Sequence, residues 1–279
     1  MRISNYLAAI AALSIVLGAA GPARPADCTI KPPRDLVSPG KLTIGTTLVT
    51  PPQGFLDAGK PAGFAVEIGE ALAGEMCLTT EVANLALVGL FAGLNARKLD
   101  IIISGTAITP ERAQSFDFVP YFQGGVRLIV RKGANLSFAS EDNLCGLSVA
   151  TLTGSVEAHA LERANKDVCP EGKKIAALVY PSWSEAIQQL RKGVAEVGFV
   201  DWPFANYLAQ TLREFAIASP ILSGNPGRVR NRQGVVMRKG DAAMIEAIAA
   251  AFERIQARGK YEEILGKWHV EDGDIRRVQ

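Results

Sequence analysis

An α/β fold in two lobes is predicted by three features of this chain. From Lys41 onward, strand-like apolar runs alternate with amphipathic helical stretches; the alternation halts at RLIVRKG and then starts again; and the segments AGLNARKLDIIISG and QQLRKGVAEVGFVD hold comparable places in the two series. Alternation of this kind places strands in parallel sheets with helices packed on them, and ligands then bind at the carboxyl ends of the strands. Two series therefore mean two lobes. The strand ends, at Ser104 to Thr106 in one series and Asp201 in the other, can face each other across a cleft.

The elements follow in chain order. Residues 1–26 carry Arg2, an apolar stretch from about Leu7 to Ala20, and then small residues with proline. That is the pattern of a cleaved signal peptide rather than a membrane span, with cleavage after Ala23 or Ala26. The first series reads as strand KLTIGTT, helix FAVEIGEALAGEM, strand TTEVANL, helix VGLFAGLNAR and strand DIIIS. Ile101, Ile102 and Ile103 are β-branched and read as a fully buried parallel strand. That strand opens onto SGTAITPER, where Thr109 suits an N-cap and Pro110 the first helical position. Arg112 is the odd member, because a helix's first turn carries positive partial charge and a cation there calls for an anion nearby.

The second series reads as strand LSVATL, helix SVEAHALERAN, strand IAALVY, helix SWSEAIQQLRKG and strand AEVGFVD. Gly154 and Ser155 stand where a strand turns into a helix, a position that serves as an anion site or equally as an ordinary cap. SWSE is a capping box, with Ser182 as N-cap and Glu185 reaching back. Asp201, before Trp202 and Pro203, either caps the next helix or holds a cation. The chain closes with strand QGVVMRK and a long helical region from Asp241 to Trp268, which returns to the first lobe.

Composition bounds the function. With 279 residues, 48% of them hydrophobic, and a net charge of +2, the chain makes one or two domains and gives no reason to expect a nucleic acid partner. Glu246 and Glu253 interrupt the Ala-rich C-terminal helix, so no later run reaches membrane length and the exported protein is expected to be soluble. Four cysteines in an exported chain suggest disulfides; of three possible pairings, the local pairs Cys145 with Cys169 and Cys28 with Cys77 are favoured. Residues Pro25-Ala26-Asp27 do not suit a lipoprotein cleavage site before Cys28. His159 and His269 lack metal-ligand spacing, so neither a metal nor a cofactor is expected. No GxSxG, P-loop or GxGxxG occurs, and no cysteine has an obvious histidine partner. Glu111 and Glu157 are the acids nearest the expected cleft; both read as first-turn helix residues, and no catalytic residue is assigned.

With these residues assembled, the chain resembles the family 3 solute-binding proteins of ABC importers, the periplasmic receptors for polar amino acids. ARKLDIIISGTAITPERAQSFDFVPYF carries the resemblance best, supported in order by PAGFAVEIGEALA, LCGLSVATLTGSVE, GVAEVGFVDWPFANYL, GVVMRKGD and RGKYEEILGKWHV. The resemblance implies the two-lobed periplasmic-binding-protein fold (type II): residues 27–122 and 231–279 form lobe 1, residues 123–230 form lobe 2, and two crossovers act as a hinge near Tyr121 to Arg127 and Pro226 to Gln233. It implies that Arg112 clasps a ligand α-carboxylate, with backbone groups at Gly105 and Ala107 and the helix start at Thr153, Gly154 and Ser155. Asp201 would take the α-ammonium. Gln53 stands where many members place an aromatic residue and Leu87 replaces a second aromatic wall, so cations that stack on aromatic walls are disfavoured. Arg228, Arg230 and Arg232 read as a solvated basic loop, with contact to an acidic side chain or a transporter as the other reading. The implied partners are an amino acid and an inner-membrane permease, and the implied state is a periplasmic monomer. A dehydratase-like enzyme on the same scaffold and a ligand-sensing partner of a membrane receptor are the rival functions.

Overall fold

A computed structural model of the chain describes Cys28, residues 30–223 and residues 231–277. The signal peptide with its Ala23 and Ala26 cleavage positions, Arg228 and Arg230, and the Pro226 end of the return crossover lie outside the described residues.

Strand β1 (Lys41–Thr46) begins the first series, with every residue after Lys41 buried. A small antiparallel sheet follows, β2 (Val49–Thr50), β3 (Gly54–Asp57) and β4 (Lys60–Ala62), which the alternating pattern does not foreshadow. Then come α1 (Phe64–Glu75), β5 (Thr79–Asn84), α2 (Leu87–Asn95), β6 (Ile101–Ile102), α3 (Pro110–Ser115) and β7 (Phe116–Gln123). The second series is β8 (Val126–Arg131), β9 (Ser148–Leu152), α4 (Val156–Asp167), β10 (Ala176–Tyr180), α5 (Trp183–Lys192), β11 (Val197–Asp201), α6 (Trp202–Thr211) and β12 (Phe215–Ile217). The chain ends with β13 (Arg232–Arg238), α7 (Ala242–Ala257) and α8 (Lys260–Lys267).

Two five-stranded sheets result, in the orders β5-β1-β6-β13-β7 and β10-β9-β11-β8-β12. Their parallel character is only partial, which corrects the sequence expectation. β1 pairs in parallel with β5 and β6, and β9 with β10 and β11, as βαβ units require. β13 instead runs antiparallel to β6 and β7, and β8 antiparallel to β11 and β12. The cause lies in how these strands arrive. β7 leaves the first sheet and, two residues later, β8 enters the second without a crossover helix, while β13 returns from the other sheet and enters from the opposite end.

The long C-terminal helical region is broken at Gly259, whose φ of 71° suits a residue without a Cβ. Helices α7 and α8 then fold over α1: Phe252, Ile255, Tyr261 and Leu265 share one core with Phe64, Leu72 and Met76. The Tyr261 hydroxyl donates to the Tyr121 carbonyl at 2.6 Å, fastening this return to β7. The cysteines pair as Cys145 with Cys169, at an S–S distance of 2.05 Å, and Cys28 with Cys77, with Cα atoms 5.6 Å apart. Among the described residues no helix is long and apolar enough to cross a membrane, and no group of acidic, histidine and cysteine side chains is arranged to hold a metal.

Candidate functional site

The carboxyl ends of β6 and β11 meet at a pocket between the two sheets. Ser104 Oγ accepts from Thr47 N at 3.0 Å, which ties the end of β6 to the end of β1. Beyond it, Gly105 turns with φ 64°, and a Cβ there would collide with the Gln53 amide. Thr109 caps α3 as expected, its hydroxyl accepting from Arg112 N at 3.2 Å, with Pro110 opening the helix.

The cap sets the place of Arg112. Its guanidinium donates from Nη1 to the Ala107 carbonyl at 2.9 Å and from Nη2 to the Gly154 carbonyl, in the opposite series, at 3.1 Å. It also stands 5.3 Å from the centre of the Phe91 ring. Burial weakens its hold on its proton, while Glu157 first and Asp201 second strengthen it. Glu157 and Asp201 therefore place negative charge near this first-turn cation, while its guanidinium hydrogens go to the backbone carbonyls of Ala107 and Gly154.

Asp201 ends β11. It stands at the N-cap position of α6, yet its side chain makes no capping hydrogen bond, so the capping alternative is not the one the fold adopts. Its Oδ1 accepts instead from Gln233 Nε2 at 3.3 Å, a bond from the second sheet to β13 of the first. Desolvation and then the charge of Glu157 push its carboxyl well above the ordinary carboxylate range, and Arg112 pulls the other way.

Arg112, Asp201, Gly105, Ala107, Ser155, Gln53 and Leu87 all line this one pocket. Gly154 reaches it through its carbonyl on Arg112. Thr153 is exposed and is not among the lining residues. The backbone N–H of Gly105 donates to the Tyr121 hydroxyl at 3.3 Å and that of Ser155 to the Leu152 carbonyl at 3.2 Å, so both already have partners. Ser155 Oγ accepts from Ala158 N at 3.2 Å, an ordinary helix cap. Arg232 is exposed at the start of β13.

Among the lining residues, Glu157 reads from the sequence only as a first-turn acid near the cleft, and Trp183 only as the residue after a cap. Glu157 is 2% exposed and Trp183 4% exposed, and both face the pocket from helix starts. Each had a signal: Glu157 follows Ser155 by two positions, and Trp183 follows the cap Ser182. Glu157 also departs from ordinary first-turn acids, because Glu111 and Glu185 in the equivalent turns are exposed. The free cavity measures about 40 Å³, room for about three waters at 10–15 Å³ each.

Comparison with known proteins agrees with this architecture. Residues 42–271 match the model of the bacterial extracellular solute-binding proteins, family 3, and the chain belongs to that family. An L-arginine-binding protein of Pseudomonas aeruginosa is 31% identical over 216 residues, covering 75% of this chain and 80% of the relative. An L-cystine-binding protein of Escherichia coli is 26% identical, covering 84% of each. Among solved structures, an ancestral arginine-binding protein bound to arginine superposes with a TM-score of 0.73 at 29% identity, covering 82% of this chain and 98% of that one. The fold is therefore the two-lobed type II fold of periplasmic binding proteins.

Proposed function

We propose that this protein captures an α-amino acid or close analogue between its lobes and hands it to the inner-membrane permease of an ABC importer. One observation carries the reading: Arg112 and Asp201, opposite charges from the two sheets, line the same small pocket. A zwitterion matches that pair, with its carboxylate on the planar guanidinium and its ammonium on the aspartate. Gly105, Ala107, Gly154 and Ser155 shape the carboxylate end, and Gln53 and Leu87 stand beside the ligand side chain. Relatives named for arginine and cystine support an amino acid as ligand.

The lobes are residues 27–122 with 231–279, and residues 123–230. The protein acts as a monomer in the periplasm, exported by the N-terminal signal peptide, and the paired cysteines suit that oxidising compartment. It is not an enzyme. The dehydratase-like alternative differs in that the bound compound would be consumed, whereas a carrier returns it unchanged.

Two measurements test the reading. An amino acid at a hundredfold over its Kd adds about 2.7 kcal/mol to stability, which for a chain of this size raises the melting temperature by roughly 5 to 10 °C. A panel in which sugars or metals shift the transition and no amino acid does would contradict it. Closure about the crossovers at Tyr121 to Arg127 and Pro226 to Gln233 should also lower the radius of gyration in solution scattering once ligand saturates. An unchanged profile would contradict closure.

A further inference from the structure

A second cavity lies along the seam where α6 meets the end of α8 and the small β2-β3-β4 sheet, and it shares no lining residue with the pocket between β6 and β11. Its volume is about 190 Å³, against about 40 Å³ for that pocket. A cavity of ~150 Å³ already holds a benzene ring. The walls suit such a ring: Pro52 and Phe55 come from the first series, Trp202 and Tyr207 from α6, and Trp268 from the residue after α8. Phe55 meets Trp268 edge to face with centroids 5.6 Å apart, a packed aromatic corner.

Two polar atoms of the lining residues lack partners. Trp268 Nε1 and Asn206 Oδ1 are both buried and form no hydrogen bond among the described residues. The other indole of this wall differs, since Trp202 donates its N–H to the Gln123 carbonyl. Asn206 also sits in the middle of α6, where asparagine is a mediocre helix former and no cap calls for it. A buried donor and a buried acceptor left unmade are each costly, and one occupant can relieve both. Charge narrows its chemistry: among the described residues no carboxylate lines the cavity, and Lys267 is engaged by Glu67 at 2.6 Å. We infer that the seam cavity is a second binding site, for a small neutral aromatic amide. Its ring lies among Phe55, Tyr207 and Trp268, its carbonyl accepts from Trp268 Nε1, and its N–H donates to Asn206 Oδ1. The site is separate from the proposed amino-acid cleft and does not rest on that reading.

Benzamide is the probe, and nuclear magnetic resonance of the nitrogen-labelled protein is the readout. The chain has three tryptophans and so gives three indole N–H signals, of which Trp268→Phe identifies one by its loss. Benzamide should move the Trp268 signal saturably, with a Kd of about 1 mM or tighter, the range for a ligand this small. The signal of Trp183, which lines the other pocket, should stay in place. Asn206→Leu should weaken binding about fivefold or more, the scale of one neutral hydrogen bond, while the variant still melts cooperatively. Benzoate has the same shape but is anionic and has no N–H to donate, and it should bind more weakly by a similar factor. No saturable movement well above a millimolar would leave water as the partner of both atoms and overturn the inference. Three signals moving together without saturation, undiminished affinity in Asn206→Leu, or benzoate bound as tightly as benzamide would overturn it equally.

Discussion

Arg112→Ala should weaken amino-acid binding by roughly thirtyfold or more, because truncating one partner of a buried charged pair leaves the other unpaired at a cost of ~2 to 5 kcal/mol. Asp201→Ala should lose a similar amount. Arg112→Lys should also bind poorly, since an ammonium cannot reproduce the bidentate fork. Both alanine variants should fold. Arg112 donates to the carbonyls of Ala107 and Gly154, and both acceptors stand beside the cleft rather than in a core. Asp201 makes no cap bond, so its removal should not show the loss of about 1 kcal/mol that a lost N-cap brings. Titration beside a melting curve on each variant checks this; near-native affinity in Asp201→Ala would remove it from the site.

Trp202→Ala should destabilise the protein by about 3 to 5 kcal/mol, the range for deleting a large aromatic side chain from a packed core. Trp202 is 1% exposed and opens α6 of the second series, yet its ring packs in the core of the first, stacked on Phe122 with centroids 5.8 Å apart and planes 13° apart. Its Nε1 donates to the Gln123 carbonyl at 3.2 Å, at the end of β7. One side chain therefore fastens the seam directly beneath Asp201. Denaturant unfolding measures the loss, and a change below about 1 kcal/mol would show that the seam does not depend on this ring.

The sequence made the strand–helix alternation readable because each element buries one face, and burial repeats at the element's own period. The Thr109 cap, the Pro110 start and the Ile101 to Ile103 run all rest on such local chemistry, and the fold carries all three. What stayed hidden depends on distant parts of the chain. The direction of β8 and β13 follows from where the backbone crosses between sheets, which no periodicity records. The small sheet of β2, β3 and β4 contains strands of two to four residues, too short to show a pattern. Asp201 was open between a cap and a cation site until the fold showed Gln233 as its partner. Glu157 looks like a helix-start acid because its sequence neighbours say so, while its burial is a property of the fold that no local pattern records.

We propose that a zwitterion bridges the lobes from Arg112 to Asp201. Titrating the tightest-binding amino acid and its decarboxylated amine into both the native protein and Arg112→Ala tests it most directly, because the four affinities form a cycle that isolates the carboxylate's contact with one side chain. The native protein should prefer the acid by about thirtyfold or more, and Arg112→Ala should bind acid and amine about equally. An amine bound as tightly as the acid by the native protein, or an undiminished preference in Arg112→Ala, would contradict such a bridge.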